Sequence, residues 1–250
     1  MKILFYNIGY GRGHTGSILS YLKRLDRFFY TSTHAQRKVL DQCVALIDEV
    51  APDVVVVAEI LSGSFRNQQL DQQAYLKATV VQTVLASAID SKYGVAALGK
   101  LPFHFGNGNS VLSFVPAAIT PLFMSTGRKK LVFEVETKGM TMFSVHLPLV
   151  EHHRQAQLLE LVKHVNDCQG DVVVCGDFNI FGGVRELDEF LAATNLTLAG
   201  AGEATYPSAG PRQQFDLFLY RFKNSQVRPT VTVLPTQASD HLPVLLEWEL

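Results

Sequence analysis

Four apolar runs in this chain each end on a side chain that can ligate a cation or move a proton. Ile3-Leu4-Phe5-Tyr6 ends on Asn7, and Val54-Val55-Val56-Val57-Ala58 ends on Glu59. Met140-Thr141-Met142-Phe143-Ser144-Val145 ends on His146, and Val172-Val173-Val174-Cys175 runs through Gly176 into Asp177, Phe178 and Asn179. A carboxylate or carboxamide at such a place is costly unless something pairs with it. Two more segments add to the set: Asp216 lies inside the apolar run Phe215 to Tyr220, and Ser239-Asp240-His241-Leu242-Pro243 precedes a terminal apolar run. Asn7, Glu59, Asp177, Asn179 and Asp240 offer oxygen only, a donor set that suits Mg²⁺ or Mn²⁺ better than zinc. Magnesium takes one or two protein carboxylates and leaves positions for a substrate phosphate. His146 and His241 can move protons near neutral pH. Asp216 is the natural orienter of His241, fixing its tautomer and favouring its charged form.

The elements that must position these groups follow from periodicity. Uninterrupted apolar runs read as buried strands, and open α/β sheets place their ligand crevice at the carboxyl ends of such strands. A glycine-rich turn, Gly9 to Gly16, follows the first strand. Ser17 to Tyr30 carries Ile18, Leu22, Leu25 and Phe29 at helical spacing. Thr33 with Gln36 resembles a capping box, opening a helix that Pro52 stops. Residues 68–90 read as helical in part, and Val111 to Val115 as a strand. Leu131 to Glu136 and Met140 to Leu147 form a hairpin turned at Lys138-Gly139. Arg154 to Asn166 and Arg185 to Ala193 read as helices, and Phe215 to Tyr220 and Val244 to Leu250 as strands. Helices and hairpins interleave, so the sheets are mixed and residues 1–250 form one α/β domain.

Composition limits the partners. The 250 residues hold 22 basic and 23 acidic side chains, a formal net charge of −1. A field of that size draws in no polyanion, and the only basic cluster is Arg128-Lys129-Lys130. Cys43, Cys168 and Cys175 have neither disulfide-framework nor zinc-cluster spacing. No apolar stretch approaches a membrane span, and no signal-peptide pattern opens the chain, so a cytoplasmic location is expected.

Taken in order, the motifs resemble the endonuclease/exonuclease/phosphatase superfamily of deoxyribonuclease-like, metal-dependent phosphoesterases. The resemblance runs from Asn7 and Glu59 through Gly108-Asn109-Ser110-Val111-Leu112-Ser113 and Ser144-Val145-His146-Leu147-Pro148. It continues through Gly176-Asp177-Phe178-Asn179, Thr205-Tyr206-Pro207 and Asp216 to Ser239-Asp240-His241. It implies an α/β four-layer sandwich of two mixed β-sheets flanked by helices. It also implies an Mg-dependent (or Mn-dependent) hydrolase cleaving a phosphoester by in-line water attack. Glu59 would bind the metal with Asn7 and Asp240 beside it. Asp177 and Asn179 would position water and scissile phosphate. His241, held by Asp216, would act as base or stabilise the developing charge. His146 would bind phosphate or protonate the leaving oxygen.

Two departures from the family pattern bear on the substrate. No acidic partner for His146 is evident, since the only acids between Glu59 and Glu134 are Asp71 and Asp90. The Leu112-Ser113 pair continues into Phe114 where an arginine is common, so a phosphate-facing cation is missing or comes from Arg66 or Arg128. Arg66 and Asn109 are the candidate substrate-binding residues. The substrate alternatives are nucleic acid, a lipid or sphingolipid phosphodiester and a small-molecule phosphate, with an inactive binding protein of the same fold as the remaining possibility. No obligate protein partner is expected. His34 and His164 read as helix residues, His152-His153 as a solvated loop, and His104 as packing. Ser17 to Tyr30 reads as an amphipathic helix packed on the sandwich, with membrane contact as the minority reading because Lys23, Arg24 and Arg27 flank its apolar face.

Overall fold

Alternation along the apolar runs decides the layers. The computed structural model describes residues 1–94, 105–200 and 202–249. In it, β1 (Lys2–Asn7) sends Ile3 and Phe5 to one core and Leu4 and Tyr6 to another. β2 (Val54–Leu61) divides Val54 and Val56 from Val55 and Val57 in the same way. β8 (Asp171–Asp177) divides Val173 and Cys175 from Val172 and Val174. Both faces of each strand are covered, which is why the runs are apolar without interruption.

One sheet has the order β11 (Thr230–Val233), β12 (Val244–Glu247), β1, β2, β4 (Asn107–Ser113), β3 (Ala86–Ser91). The other has the order β5 (Ala118–Phe123), β6 (Leu131–Thr137), β7 (Met140–His146), β8, β10 (Asp216–Arg221), β9 (Thr197–Leu198). β1–β2 and β7–β8 pair parallel and their neighbours antiparallel, so both sheets are mixed. Ile3, Phe5, Val56, Val111, Phe133, Met142, Val173 and Phe218 fill the space between them. α2 (Thr33–Val50) and α3 (Gln72–Thr79) cover the outer face of the first sheet, and α4 (Glu151–Asp167) and α5 (Asp188–Thr194) that of the second. The result is the four-layer sandwich expected.

The same parity sets the site. Asn7 continues the step of Ile3 and Phe5, His146 that of Met140 and Met142, and Asp177 that of Val173 and Cys175. Asn109 stands two before Val111 and Asp216 two before Phe218. All five therefore extend the inner faces, at the end where the apolar filling stops. Gly176 makes the β7–β8 contact possible: its φ is +149°, and a Cβ there would lie 1.9 Å from the Val145 carbonyl oxygen. That approach aligns His146 with Asp177 across the ladder.

Several boundaries differ from the expectation. The cap of α2 is Ser32, whose Oγ accepts from the Ala35 N–H, while Gln36 is buried and donates to the Thr31 and Asn67 carbonyls. α2 ends on Val50 with Ala51 as its left-handed cap at φ +47°, directly before Pro52 as expected. β4 begins at Asn107 and so takes Asn109 into the sheet. α4 opens at Glu151, which puts His152 and His153 in its first turn and not in a loop. β3, β5 and β11 carry no strong apolar run; all three are edge strands, and β5 tolerates Pro121 for that reason. The expected 17–30 helix is only α1 (Ile18–Lys23) followed by a 3₁₀ turn, Leu25–Phe28. Arg24, at φ −130°, breaks the periodicity, and Ile18, Leu22, Leu25 and Phe29 are exposed, not packed on the sandwich. His104 and Leu250 lie outside the described residues. Among those described, no helix is long and apolar enough to cross a membrane.

Candidate active site

The two sheets are tied together at their polar end. Asn7 Nδ2 of β1 donates to Asp177 Oδ2 of β8 at 3.1 Å, and both residues are buried. Asp177 Oδ1 accepts the Asn179 N–H at 3.1 Å, an Asx-type turn. Asn179, at φ +51°, turns its amide back to donate to the Leu147 carbonyl at 3.0 Å. The turn and the site thus use different oxygens of the same carboxylate. Burial alone would raise the Asp177 pKa, but His146, His241 and Lys129 outweigh it and hold the acid well below its usual range.

Beside this bridge stands a histidine–aspartate pair. His241 Nδ1 lies 2.8 Å from Asp216 Oδ2, and Asp216 pairs with Asp177 in the β8–β10 ladder. Burial opposes the charged imidazole, yet Asp216, Asp177 and Asp240 prevail and push His241 up to about 10. His241 is therefore an imidazolium at neutral pH, with Nδ1–H donated to Asp216. Ligand atoms of Asp177, Asp216 and His241 all lie within 4.8 Å of one another. Asp216 Oδ1 is buried with no hydrogen-bond partner.

Glu59 reaches the cleft by a local irregularity. The β2–β4 register shifts between Val57 and Ile60, and Glu59 sits in that bulge at φ +55°. Strict alternation would turn it toward the helices; the bulge re-aims it. Its N–H donates to Asn109 Oδ1 at 3.2 Å. Lys92 Nζ lies 3.3 Å from Glu59 Oε1 and also bonds the Tyr10 hydroxyl. Burial would raise the Glu59 pKa, but Lys92, His146 and Lys129 bring it down to about 2.

His146 faces several groups at once. Nδ1 is 3.4 Å from Asn109 Oδ1, while Nε2 contacts Lys129 Nζ and lies 3.3 Å from Asp177 Oδ2 and 3.9 Å from Glu59 Oε1. The ammonium and the carboxylate compete for Nε2. Burial and then Lys129 push His146 down to about 4, against the opposing pull of Asp177 and Glu59. Asp177 Oδ2 keeps its donor from Asn7. Lys129 is itself pushed down to about 8, chiefly by burial and by Lys92, with Asp177 and Glu59 opposing.

Lys92 and Lys129 are the residues that sequence reasoning missed. The phosphate-facing cation was expected from Arg66 or Arg128. Arg128 is exposed on the turn, whereas Lys129, its neighbour in the one basic cluster, enters the centre. Lys92 follows a weak edge strand, and only the closing of β3 on β4 brings it to Glu59. The Lys130 N–H donates to the Lys92 carbonyl, joining the two lysine-bearing segments across the sheets. Arg66 interacts with Arg12, Tyr10 and Tyr93, on the Lys92 side of the cleft. Asp240 accepts from the Ser239 hydroxyl at Oδ1 (3.0 Å) and the Tyr21 hydroxyl at Oδ2 (2.8 Å). Asn7 Oδ1 takes the Gly9 N–H, and a Cβ on Gly9 would lie 3.1 Å from Asp240 Oδ1, so Asn7 and Asp240 flank the same turn.

This donor set fits a hard divalent cation. Glu59 is ionised and bears Lys92 on Oε1, and the carboxylates of Asp177 and Asp216 with His241 offer ligand atoms close enough to share one ion. Lys92 on Oε1 is the cation that a metal at Glu59 would have to sit beside.

A four-layer α/β sandwich with paired carboxylates, an Asp–His couple and a metal-compatible glutamate at one end of its inner layer defines a phosphoesterase class. A family model described as "Endonuclease/Exonuclease/phosphatase family" matches residues 4–241, and the chain belongs to that family. It is accordingly a phosphoric ester hydrolase. Solved structures with the same fold include an endonuclease/exonuclease/phosphatase from Beutenbergia cavernae (18% identity, TM-score 0.68, covering 100% of this chain and 71% of that one). They also include a mannosyl-6-phosphatase from Bacteroides thetaiotaomicron (12%, TM-score 0.68, 100% of both chains). A third is TDP2 of D. rerio complexed with single strand DNA product (15%, TM-score 0.65, 100% and 99%). Among curated protein sequences nothing matches.

Proposed function

We propose that the protein hydrolyses a phosphodiester with a divalent metal, preferentially Mg²⁺ and otherwise Mn²⁺, bound at Glu59 with Asn7 and Asp240 beside it. The observation that carries this reading is the Asn7–Asp177 bridge, which closes two sheets onto one polar pocket holding Glu59, His146, Asp216 and His241. When bound, the metal supplies Lewis-acid stabilisation of the charge developing on the phosphoryl oxygens.

The chain's own groups divide the remaining tasks. Asp177, ionised and fixed by Asn7 and Asn179, orients the attacking water and takes its proton as the new P–O bond forms; the P–O bond to the leaving group breaks in line, and the departing oxyanion takes its proton from solvent. Asp216 orients His241 through Nδ1 and favours its charged form, which presents a cation to the phosphate. His146 anchors Lys129 beside Asp177. Lys129 and Lys92 hold phosphate oxygens, with Asn109 fixing the Glu59 and His146 side and Arg66 outside them. Turnover of bis(4-nitrophenyl) phosphate with and without EDTA tests the reading. Loss on chelation and recovery with Mg²⁺ support it, and unchanged turnover refutes it.

A second reading, release of a terminal phosphate from a small molecule, is favoured by Lys92 and Lys129. Two ammonium groups beside the imidazolium suit the dianion of a phosphomonoester. Relative rates on 4-nitrophenyl phosphate and its diester separate the two. Three free cysteines support a reducing compartment such as the cytoplasm.

A further inference from the structure

Beside the cleft, one short strap exposes six large apolar side chains. Ile18, Leu19, Leu22, Leu25, Phe29 and Tyr30 keep between 49% and 81% of their surface open. Exposed apolar surface gathered in one place marks a site of interaction. The strap is also fastened, so these groups are presented and are not awaiting a place in the core. Thr15 N–H donates to Ser20 Oγ, Arg27 Nη1 to the Arg12 carbonyl at 2.7 Å, and Thr31 Oγ1 to the Arg27 carbonyl at 2.9 Å.

Cations gather behind the same strap. A cavity of about 420 Å³ is lined by Arg24, Arg27, His34 and Lys38 with Ser32 and Gln237, and no acidic residue lines it. A Cβ on Gly13 would lie 3.3 Å from Arg27 Nη1 and 3.5 Å from Arg24 Nη1, so two guanidinium groups close on one point. Asp26 is the acid acting on Arg27, and it lies outside the lining. Like charges brought together without a carboxylate among them call for an anion.

We propose that the segment Ser17 to Tyr30 docks the enzyme on a membrane surface containing anionic phospholipid, its six apolar side chains entering the interfacial layer while Arg24, Arg27 and Lys38 receive a headgroup phosphate. Apolar side chains next to basic ones are what such a surface binds. A nucleic acid would satisfy the cations and leave the apolar groups in water. A second copy related by a two-fold axis would set Lys23, Arg24, Arg27 and Lys38 against their own images, a like-charge contact. Tyr21, between Leu19 and Leu22 on α1, donates to Asp240, so the docking face and the catalytic cleft share one element. The inference does not depend on the catalytic reading above.

Co-sedimentation of the full chain with phosphatidylcholine vesicles, and with vesicles also containing phosphatidylserine, tests it. Binding is expected to the anionic vesicles well above the neutral ones and to weaken at high salt. Arg24→Gln/Lys38→Gln lowers it about tenfold or more, and Ile18→Ser/Leu22→Ser/Phe29→Ser abolishes it. Neither variant touches the centre, so metal-dependent hydrolysis of a soluble phosphodiester is expected to be unchanged in both, which keeps the two proposals separable. No vesicle binding, equal binding to neutral and anionic vesicles, or binding unaffected by the variants overturns the proposal. So does a lipid-free dimer that the triple variant dissociates, which would assign the face to a second copy.

Discussion

The polar floor between the sheets and the strap beside it are built on opposite terms. On the floor, Asn7, Asn109, His146, Asp177, Asp216 and His241 are buried and make 2.8–3.4 Å contacts with one another, drawn from both sheets. On the strap, six apolar side chains face outward and polar bonds fasten the backbone. Chemistry is placed where the fold over-determines each group, and recognition where the fold leaves surface uncovered. Substitutions in the first region should therefore cost stability or turnover, while those in the second should cost neither.

The largest expected effect belongs to the layer under the floor. Phe143 is fully buried between β7 and the α4 layer, and Phe143→Ala should lower unfolding free energy by about 3–5 kcal/mol, read from urea denaturation. Next comes Asp216→Asn, which removes the charge that keeps His241 an oriented cation. It should lower kcat by about 10²–10³-fold while leaving the urea midpoint near that of the wild type. A midpoint shift as large as that of Phe143→Ala would make the pair structural. Lys129→Met should reduce kcat/KM by about 10–100-fold through loss of one charged phosphate contact. Because Lys129 is held at about 8, kcat/KM should fall as pH rises through that value, and Lys129→Arg should flatten this basic limb. The smallest effect is on the strap. Leu22→Ser should change stability by less than about 0.5 kcal/mol, and a larger loss would show that the strap packs after all.

Much of this contrast could be read before any coordinates. Uninterrupted apolar runs required two covered faces, and counting by twos from Phe5, Met142 and Cys175 puts Asn7, His146 and Asp177 on one inner surface. What escaped was whatever depended on a departure from periodicity. The bulge that turns Glu59 inward leaves no mark in the run Val54 to Leu61. Lys92 follows an edge strand whose residues are only half-buried, so nothing apolar announced it. Lys129 stood in the one basic cluster, but its neighbour Arg128 was the residue expected to face the phosphate. The Ser17–Tyr30 spacing gave a helix because periodicity reports compatibility with a stripe, not the presence of a surface to cover it.

The central claim is that segments from Asn7 to His241 converge on one metal-dependent phosphoester-cleaving centre. The turnover of bis(4-nitrophenyl) phosphate in Mg²⁺ by wild type and by Asp177→Asn, at equal folded concentration, tests it most directly. A fall of about 10³-fold or more in kcat is the result expected, with wild-type activity abolished by EDTA. An Asp177→Asn enzyme that retains full, chelator-resistant turnover would contradict it.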